Sequence, residues 1–588
     1  MKKLLPLVLV VGLVAPIRAA EPLSPVLAAM QAELSRAMAR LHLKGYEAPY
    51  FIAYAVRDYQ QRSVGSRFGA PIDKSTNHSR QAWAEVRVGD YQFDNTSSDR
   101  ELQFDLGDAD QWDPPTDAPL DDDPEALRGT LWLLTDAKYK KALGAYAKKR
   151  GKRATTISED ENLPSFSREP AAHHVDATTP FVWDEQSLLV RATKASSLFK
   201  QYPDLFEGSV KISGDRVTRW FVNSEGTAVQ TERTIYAVHL SAATRAKDGM
   251  LLEHEKDFYG RELGELPDDK QLADTIAVLA RELRALREAP MVDPYTGPAI
   301  LMEEAAGVFF HETVGHRLEG ERQNDEKEGR TFKGQVGRHV LPDFLSVIDD
   351  PTARAAGGLD APAEGGGPAI AHRPISLNGW YTYDDEGVAA RKVTLIDHGV
   401  LKDYLKSRTP IAGSLHSNGH GRAEGTADPM GRMANLFVRS TKKVPVSKLK
   451  EMLLDEVRRQ GKPFGLIIRD ITGGSTNTSN FGYQAFKGQP RLVYRVDAKT
   501  GAETLVRGVE MVGTPLTTVS RIVATSDTEG VFNGFCGAES GFVPVSTVAP
   551  AVLMSEIELQ RTQKAAERPP LLPPPWSDST IQKRPHHR

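Results

Sequence analysis

One cysteine in 588 residues, Cys536, excludes a disulfide framework. A cationic excess is lacking too. Seventy-four Lys and Arg stand against 78 Asp and Glu, a formal charge of −4. That is no footprint for nucleic-acid binding, which needs a clustered basic surface, so no nucleic-acid partner is expected. Beyond the N-terminus no apolar run approaches the roughly 20 residues of a membrane helix. No internal repeat of solenoid period occurs, and no glycine spacing matches a phosphate loop. With 40% hydrophobic and 26% charged residues the composition is that of a globular protein, and the length predicts two or more domains.

The one apolar run at the N-terminus has the layout of a secretory signal. Lys2-Lys3 precede apolar residues 4–16, and Ala19-Ala20 follow. Residues 1–20 are therefore read as a signal peptide, with an uncleaved anchor as the alternative. Cleavage after Ala19 puts Ile17 at the −3 position; cleavage after Ala20 puts Arg18 there. The mature chain is expected to be exported, periplasmic or secreted, with no membrane span. Loss of Lys2, Lys3 and Arg18 takes its charge from −4 to −7.

Periodicity predicts an α+β protein. Residues 21–290 read as an N-terminal mixed helix/strand domain, with helices over 24–42, 124–150 and 268–288. Strand patterns cover much of 48–105, and 210–238 read as strands turning at Ser224-Glu225-Gly226. Residues 291–561 read as a strand-rich antiparallel C-terminal domain. The glycine-rich stretch 353–374 reads as a flexible loop or lid. The proline-containing tail 562–588 is expected to be disordered.

Near the domain junction lies His311-Glu312-Thr313-Val314-Gly315-His316, behind the apolar run Ala305-Ala306-Gly307-Val308-Phe309-Phe310. It is one residue longer than the zinc-peptidase signature His-Glu-x-x-His. At about 100° per residue, positions i and i+5 diverge by roughly 140° on a helix. A helix over 303–319 could aim both imidazoles at one metal only through a π-type bulge, which Gly315 would ease. Glu319 and Glu321 follow and could orient the imidazoles. Cys536, in a loop of small residues, could supply a third ligand as thiolate and leave the fourth position open. An inert buried cysteine is the competing reading.

From these residues outward the chain resembles the TldD/PmbA family of metallopeptidases. Residues 311–320 are similar to its HExxxH segment, and 331–351 to the stretch ending in an aspartate pair, here Asp349-Asp350. Tyr383-Asp384-Asp385-Glu386-Gly387-Val388 and Gly399-Val400-Leu401 resemble its Asp-Glu-Gly strand and hairpin. Residues 419–421 with Arg432 and Asn435 resemble the region after it, and 534–537 its cysteine loop. The resemblance implies His311, His316 and Cys536 as zinc ligands and Glu312 as general base. It further implies an extended or unfolded polypeptide as substrate, and a homodimer or a heterodimer with a family partner subunit. Known members are mostly cytoplasmic, a pattern from which the signal sequence departs.

In the expected chemistry Zn²⁺ acidifies a water and polarises the scissile carbonyl, while Glu312 carries the proton to the leaving amine. His420, Arg422 and Tyr383 are oxyanion-stabilising candidates by sequence position alone. The alternative is a non-catalytic, exported peptide-binding or assembly subunit with a structural zinc. Ser197 and Lys200, Ser475 and Asn477, and Lys499-Thr500-Gly501 occur in the order of serine penicillin-binding enzymes, but their spacing is wrong, and the last reads as a hairpin turn.

Overall fold

The structure is a computed structural model and describes residues 24–96, 113–155, 162–325, 328–357, 374–479, 485–562 and 566–577. The expected signal peptide and most of the glycine-rich loop lie outside the described residues.

The first half is a sheet with helices on one face. Two 19-residue strands, β1 (Pro49–Arg67) and β2 (Ala70–Val88), form a hairpin. With β3 (His173–Val175), β4 (Glu207–Asn223), β5 (Ala228–Arg245) and β6 (Leu251–Gly260) they make six strands in the order β2-β1-β4-β5-β3, β6 also pairing with β5. The even-numbered side chains of β1 and β4 face the helices, as the period of two requires. Ile52, Tyr54, Val56, Trp220 and Val222 pack with α1 (Pro25–Arg40) and α2 (Pro124–Thr155). Val210, Ile212, Val238 and Leu240 pack with α3 (Glu185–Ser197) and α4 (Asp269–Glu288). The odd-numbered side chains, among them Arg57, Arg219 and Arg233, face the second half of the molecule.

The second half is a sheet of twelve strands wrapped around one helix. It contains β7 (Tyr295–Leu301) and β8 (Leu345–Asp349). After the short pair β9 (Ala355–Ala356) and β10 (Ile375–Ser376) come β11 (Val393–Asp397) and β12 (Val400–Leu401). A second pair, β13 (Gly421–Arg422) and β14 (Met430–Gly431), precedes β15 (Asn435–Ser440) and β16 (Lys443–Val444). The rest are β17 (Phe464–Thr476), β18 (Phe486–Asp497), β19 (Glu503–Val506), β20 (Val509–Gly513), β21 (Ile522–Ala538) and β22 (Gly541–Arg561). The central path runs β12-β11-β8-β15-β22-β20-β18-β17-β7, and β7 pairs again with β22, closing five strands on themselves. Between β7 and β8 runs α5 (Glu303–Thr313), every residue of which is buried from Ala305 to its end. An apolar helix of this kind belongs in a core, and its polar groups then need partners. No helix among the described residues is long and apolar enough to cross a membrane.

The fold is the expected α+β arrangement, with three local differences. The amphipathic helix α6 (Val446–Arg459), burying Leu449, Leu453 and Val457, lies where strand and turn were expected. Residues 91–93 form bends rather than a strand. Residues 566–577 of the tail lie against the first half: Glu567 N–H donates to Gly249 O (3.1 Å), and the Trp576 ring centroid is 4.5 Å from that of Phe68, the planes tilted by 44°. An indole against an apolar cluster outweighs the local tendency of a proline-rich segment to stay extended.

Candidate metal centre

The two histidines are not on one helix. α5 ends at Thr313, closed by Val314 N–H donating to Phe310 O, and a 3₁₀ turn begins at Gly315–Leu318. A second 3₁₀ turn spans Gly320–Gln323. The expected π-bulged helix over 303–319 is thus corrected: the chain aims both imidazoles inward by stopping the α-helix and tightening, not by widening it. Gly315 does not have a positive φ. A β-carbon there would overlap the Met433 sulfur, so packing, not backbone freedom, requires glycine.

Cys536 comes to the pair from near the end of β21, where it sits opposite Val543 of β22. Its Sγ lies 3.4 Å from His316 Nε2, and one ligand atom from each of His311, His316 and Cys536 lies within 4.8 Å of the others. All three are buried, at 5%, 7% and 2% exposure, so the cluster is no surface coincidence. Burial opposes ionisation of the Cys536 thiol, but the two imidazoles override it and hold the thiol well below its usual range. Burial likewise opposes His316, whose pKa the thiolate and Glu319 raise to about 10.

The surroundings orient His316. Its Nδ1 lies 3.2 Å from the Glu319 carboxylate, leaving Nε2 toward the sulfur. Glu319 is fully buried, and despite that burial Arg322 and His316 keep its carboxyl far below the usual range. Arg322 Nε donates to Glu319 (2.7 Å), and Arg432 Nε lies 3.1 Å from its other oxygen. Arg432 also donates to Cys536 O (2.7 Å), so one guanidinium ties the carboxylate to the cysteine strand. Glu321, the other acidic candidate, turns to Ser407 and Gly431 N–H.

The donor set suits a metal. Two imidazoles and a thiolate are the ligand types of zinc, and His311 Nδ1 is a buried nitrogen with no hydrogen-bond partner among the described residues. Glu319 is held by His316 and the arginines and is not among the grouped ligand atoms, so the group has three protein donors among the described residues. Glu312, next in sequence to His311, is buried and does not belong to the trio. A β-carbon on Gly474 would come 2.5 Å from Glu312 Cγ, so β17 lies directly on the Glu312 side chain. Arg317 donates to Glu312 O (2.8 Å) and Thr476 Oγ1 (3.0 Å), and Arg322 to Thr478 Oγ1 (3.1 Å), tying down the segment after Gly474.

The oxyanion candidates go elsewhere. His420 is fully buried between Asp349 (3.2 Å) and Asn418, and Tyr383 offers its carbonyl to Arg219 (2.9 Å). Arg422 donates to Met433 O (2.5 Å) and lies over the Tyr381 ring (5.0 Å). The Glu319, Arg322 and Arg432 network was only partly foreseen. Glu319 and Arg322 are three residues apart, but the Arg432 contact, 113 positions on, leaves no spacing signal.

Residues 294–561 match the family model described as the PmbA/TldA metallopeptidase C-terminal domain. A metalloprotease of Methanocaldococcus jannaschii is 29% identical over 60% of this chain and 67% of its own length. A zinc metalloprotease TldD homolog of Saccharolobus solfataricus is 23% identical over 62% of this chain and 74% of its own. Other curated relatives are spanned over as little as 48% of their length. The crystal structure of TldE from Thermococcus kodakarensis shares the fold, with a TM-score of 0.55 at 14% identity over 90% of this chain and 100% of that one. Over residues 294–561 the chain is thus similar to the TldD/PmbA family of metallopeptidases.

Proposed function

We propose that this protein is a zinc-dependent metallopeptidase of the catalytic, TldD-like type, exported from the cytoplasm and acting on extended or unfolded polypeptides. The buried group of His311, His316 and Cys536, with Glu312 next in sequence to the first of them, carries the reading. These three residues would hold the zinc, which when bound supplies Lewis acidity toward water and the scissile carbonyl. Glu312 would take a proton from the attacking water and deliver it to the leaving amine. Glu319 fixes the His316 ring, and Arg432 fixes Glu319 and the Cys536 backbone together. The likeness to TldE supports a family partner subunit; a homodimer is the other possibility.

One observation favours a second reading, a non-catalytic peptide-binding subunit with a structural zinc: Glu312 is covered by Gly474. Elemental analysis of the mature protein, of Cys536→Ala and of Glu312→Gln, together with hydrolysis of an unfolded polypeptide, separates the two. The peptidase reading expects one zinc per chain, lost in Cys536→Ala. It expects zinc retained in Glu312→Gln with hydrolysis down by about 10²–10⁴-fold. Hydrolysis absent from zinc-loaded wild type favours the binding role, and hydrolysis unchanged by Glu312→Gln removes Glu312 as the general base.

A further inference from the structure

The face of the first sheet that meets the second half carries a column of arginines. The register sets Arg57 beside Arg219 and Val217 beside Arg233, so all three guanidinium groups leave the sheet on one side. Asp385 fills the gap opposite two of them: Arg219 donates to it (2.6 Å), and Arg57 donates to the same oxygen (3.2 Å). Its other oxygen accepts Ala423 N–H (2.9 Å), the residue after Arg422.

Arg233 is left over. It is half-buried and has no hydrogen-bond or ion-pair partner among the described residues. Asp215, a nearby carboxylate on the same face, is hydrogen-bonded to Gln61 (2.9 Å). Arg422, the neighbouring cation across the seam, is 4% exposed and bonded to a carbonyl oxygen, not to a carboxylate. Asp385 is thus bonded to two of the four arginines, while Arg233 and Arg422 have carboxylates nearby, Asp215 and Asp349, but no ion pair with either among the described residues. A cation withdrawn from water without an anion is unfavourable, and a planar guanidinium is suited to a carboxylate. The seam is also close to the metal centre: Arg422 binds Met433 O, and the Met433 side chain lies against Gly315, next to His316.

Resting on the peptidase reading above, we propose that Arg233 and Arg422 form a specificity site for a carboxylate of the bound polypeptide, either its C-terminus or an acidic side chain. The full-length mature, zinc-loaded Glu312→Gln protein tests this without turnover. Three fluorescein-labelled decapeptides of Gly, Ala and Ser are titrated by anisotropy: one with a free C-terminus, one amidated, and one amidated with a single internal Glu. The free-acid or the Glu peptide should bind at least tenfold more tightly than the neutral amide, and whichever does so names the source of the carboxylate. Adding Arg233→Gln should abolish that preference while leaving amide affinity and zinc content unchanged and the melting temperature no lower, and Arg233→Lys should restore part of it. Equal binding of all three peptides, no binding of any, or a preference that survives Arg233→Gln overturns the proposal. Wild-type hydrolysis of the amide peptide is scored separately, so failure of the peptidase reading is distinguishable from failure of the carboxylate site.

Discussion

Gly474 of β17 rests on the side chain of Glu312, with no room between them for a β-carbon. The adjacent Gly473 has open space where its β-carbon would be. Gly474→Val should therefore displace Glu312, and a shift of about 1 Å in a reacting group costs on the order of 10²-fold in rate. Gly473→Ala should be silent. Steady-state peptide hydrolysis with zinc content as control reads this; equal rates in the two variants would mean the contact is irrelevant to chemistry.

Cys536 reports on its own occupancy. It is the chain's single thiol, buried at 2%, and the two imidazoles favour its thiolate form. A chromogenic disulfide reagent should find no reactive thiol in the zinc-loaded protein. After chelation it should find one per chain, with a lower melting temperature, because a metal that binds the native state stabilises it. Equal reactivity before and after chelation would remove Cys536 from the ligand set.

The acidic run beside the seam should leave a mark on the pH profile of stability. Burial raises the Asp384 carboxyl to about 7, against the N–H groups of Val388 and Gly421 that favour its ionised form. From roughly pH 4, where an unfolded Asp ionises, up to about 7 the native state keeps a proton the unfolded chain has lost, so stability falls as pH rises across that window. The melting-temperature advantage of wild type over Asp384→Asn should shrink from pH 5 to pH 8. A pH-independent advantage would mean that Asp384 is ionised throughout.

The candidate group was legible because two histidines fall within one hexapeptide and the chain has a single cysteine. One hexapeptide and one cysteine could be matched without knowing the fold. The turn that joins the histidines was not legible. A bulged helix and a broken one satisfy the same i, i+5 spacing, and the choice rests on Met433 packing against Gly315 more than a hundred residues away in sequence. Helix α6 was overlooked although Leu449, Leu453 and Val457 recur at helical spacing. Its short length and its strand-rich neighbours hid the period. The arginine column escaped because Arg57, Arg219 and Arg233 become neighbours only through sheet register.

Asp385 separates what is inherited together from what can stand alone. It lies within the stretch 294–561 that the family model recognises, yet the cations that neutralise it sit 166 and 328 positions earlier in the chain. Excised, that stretch would lose both arginines together with the sheet face that covers Asp385, opening its carboxylate to water with the Ala423 N–H still bonded to it. Drift at positions 57, 219 and 385 is therefore tied, and a chimera joining this C-terminal half to a relative's N-terminal half has to carry the arginines across with it.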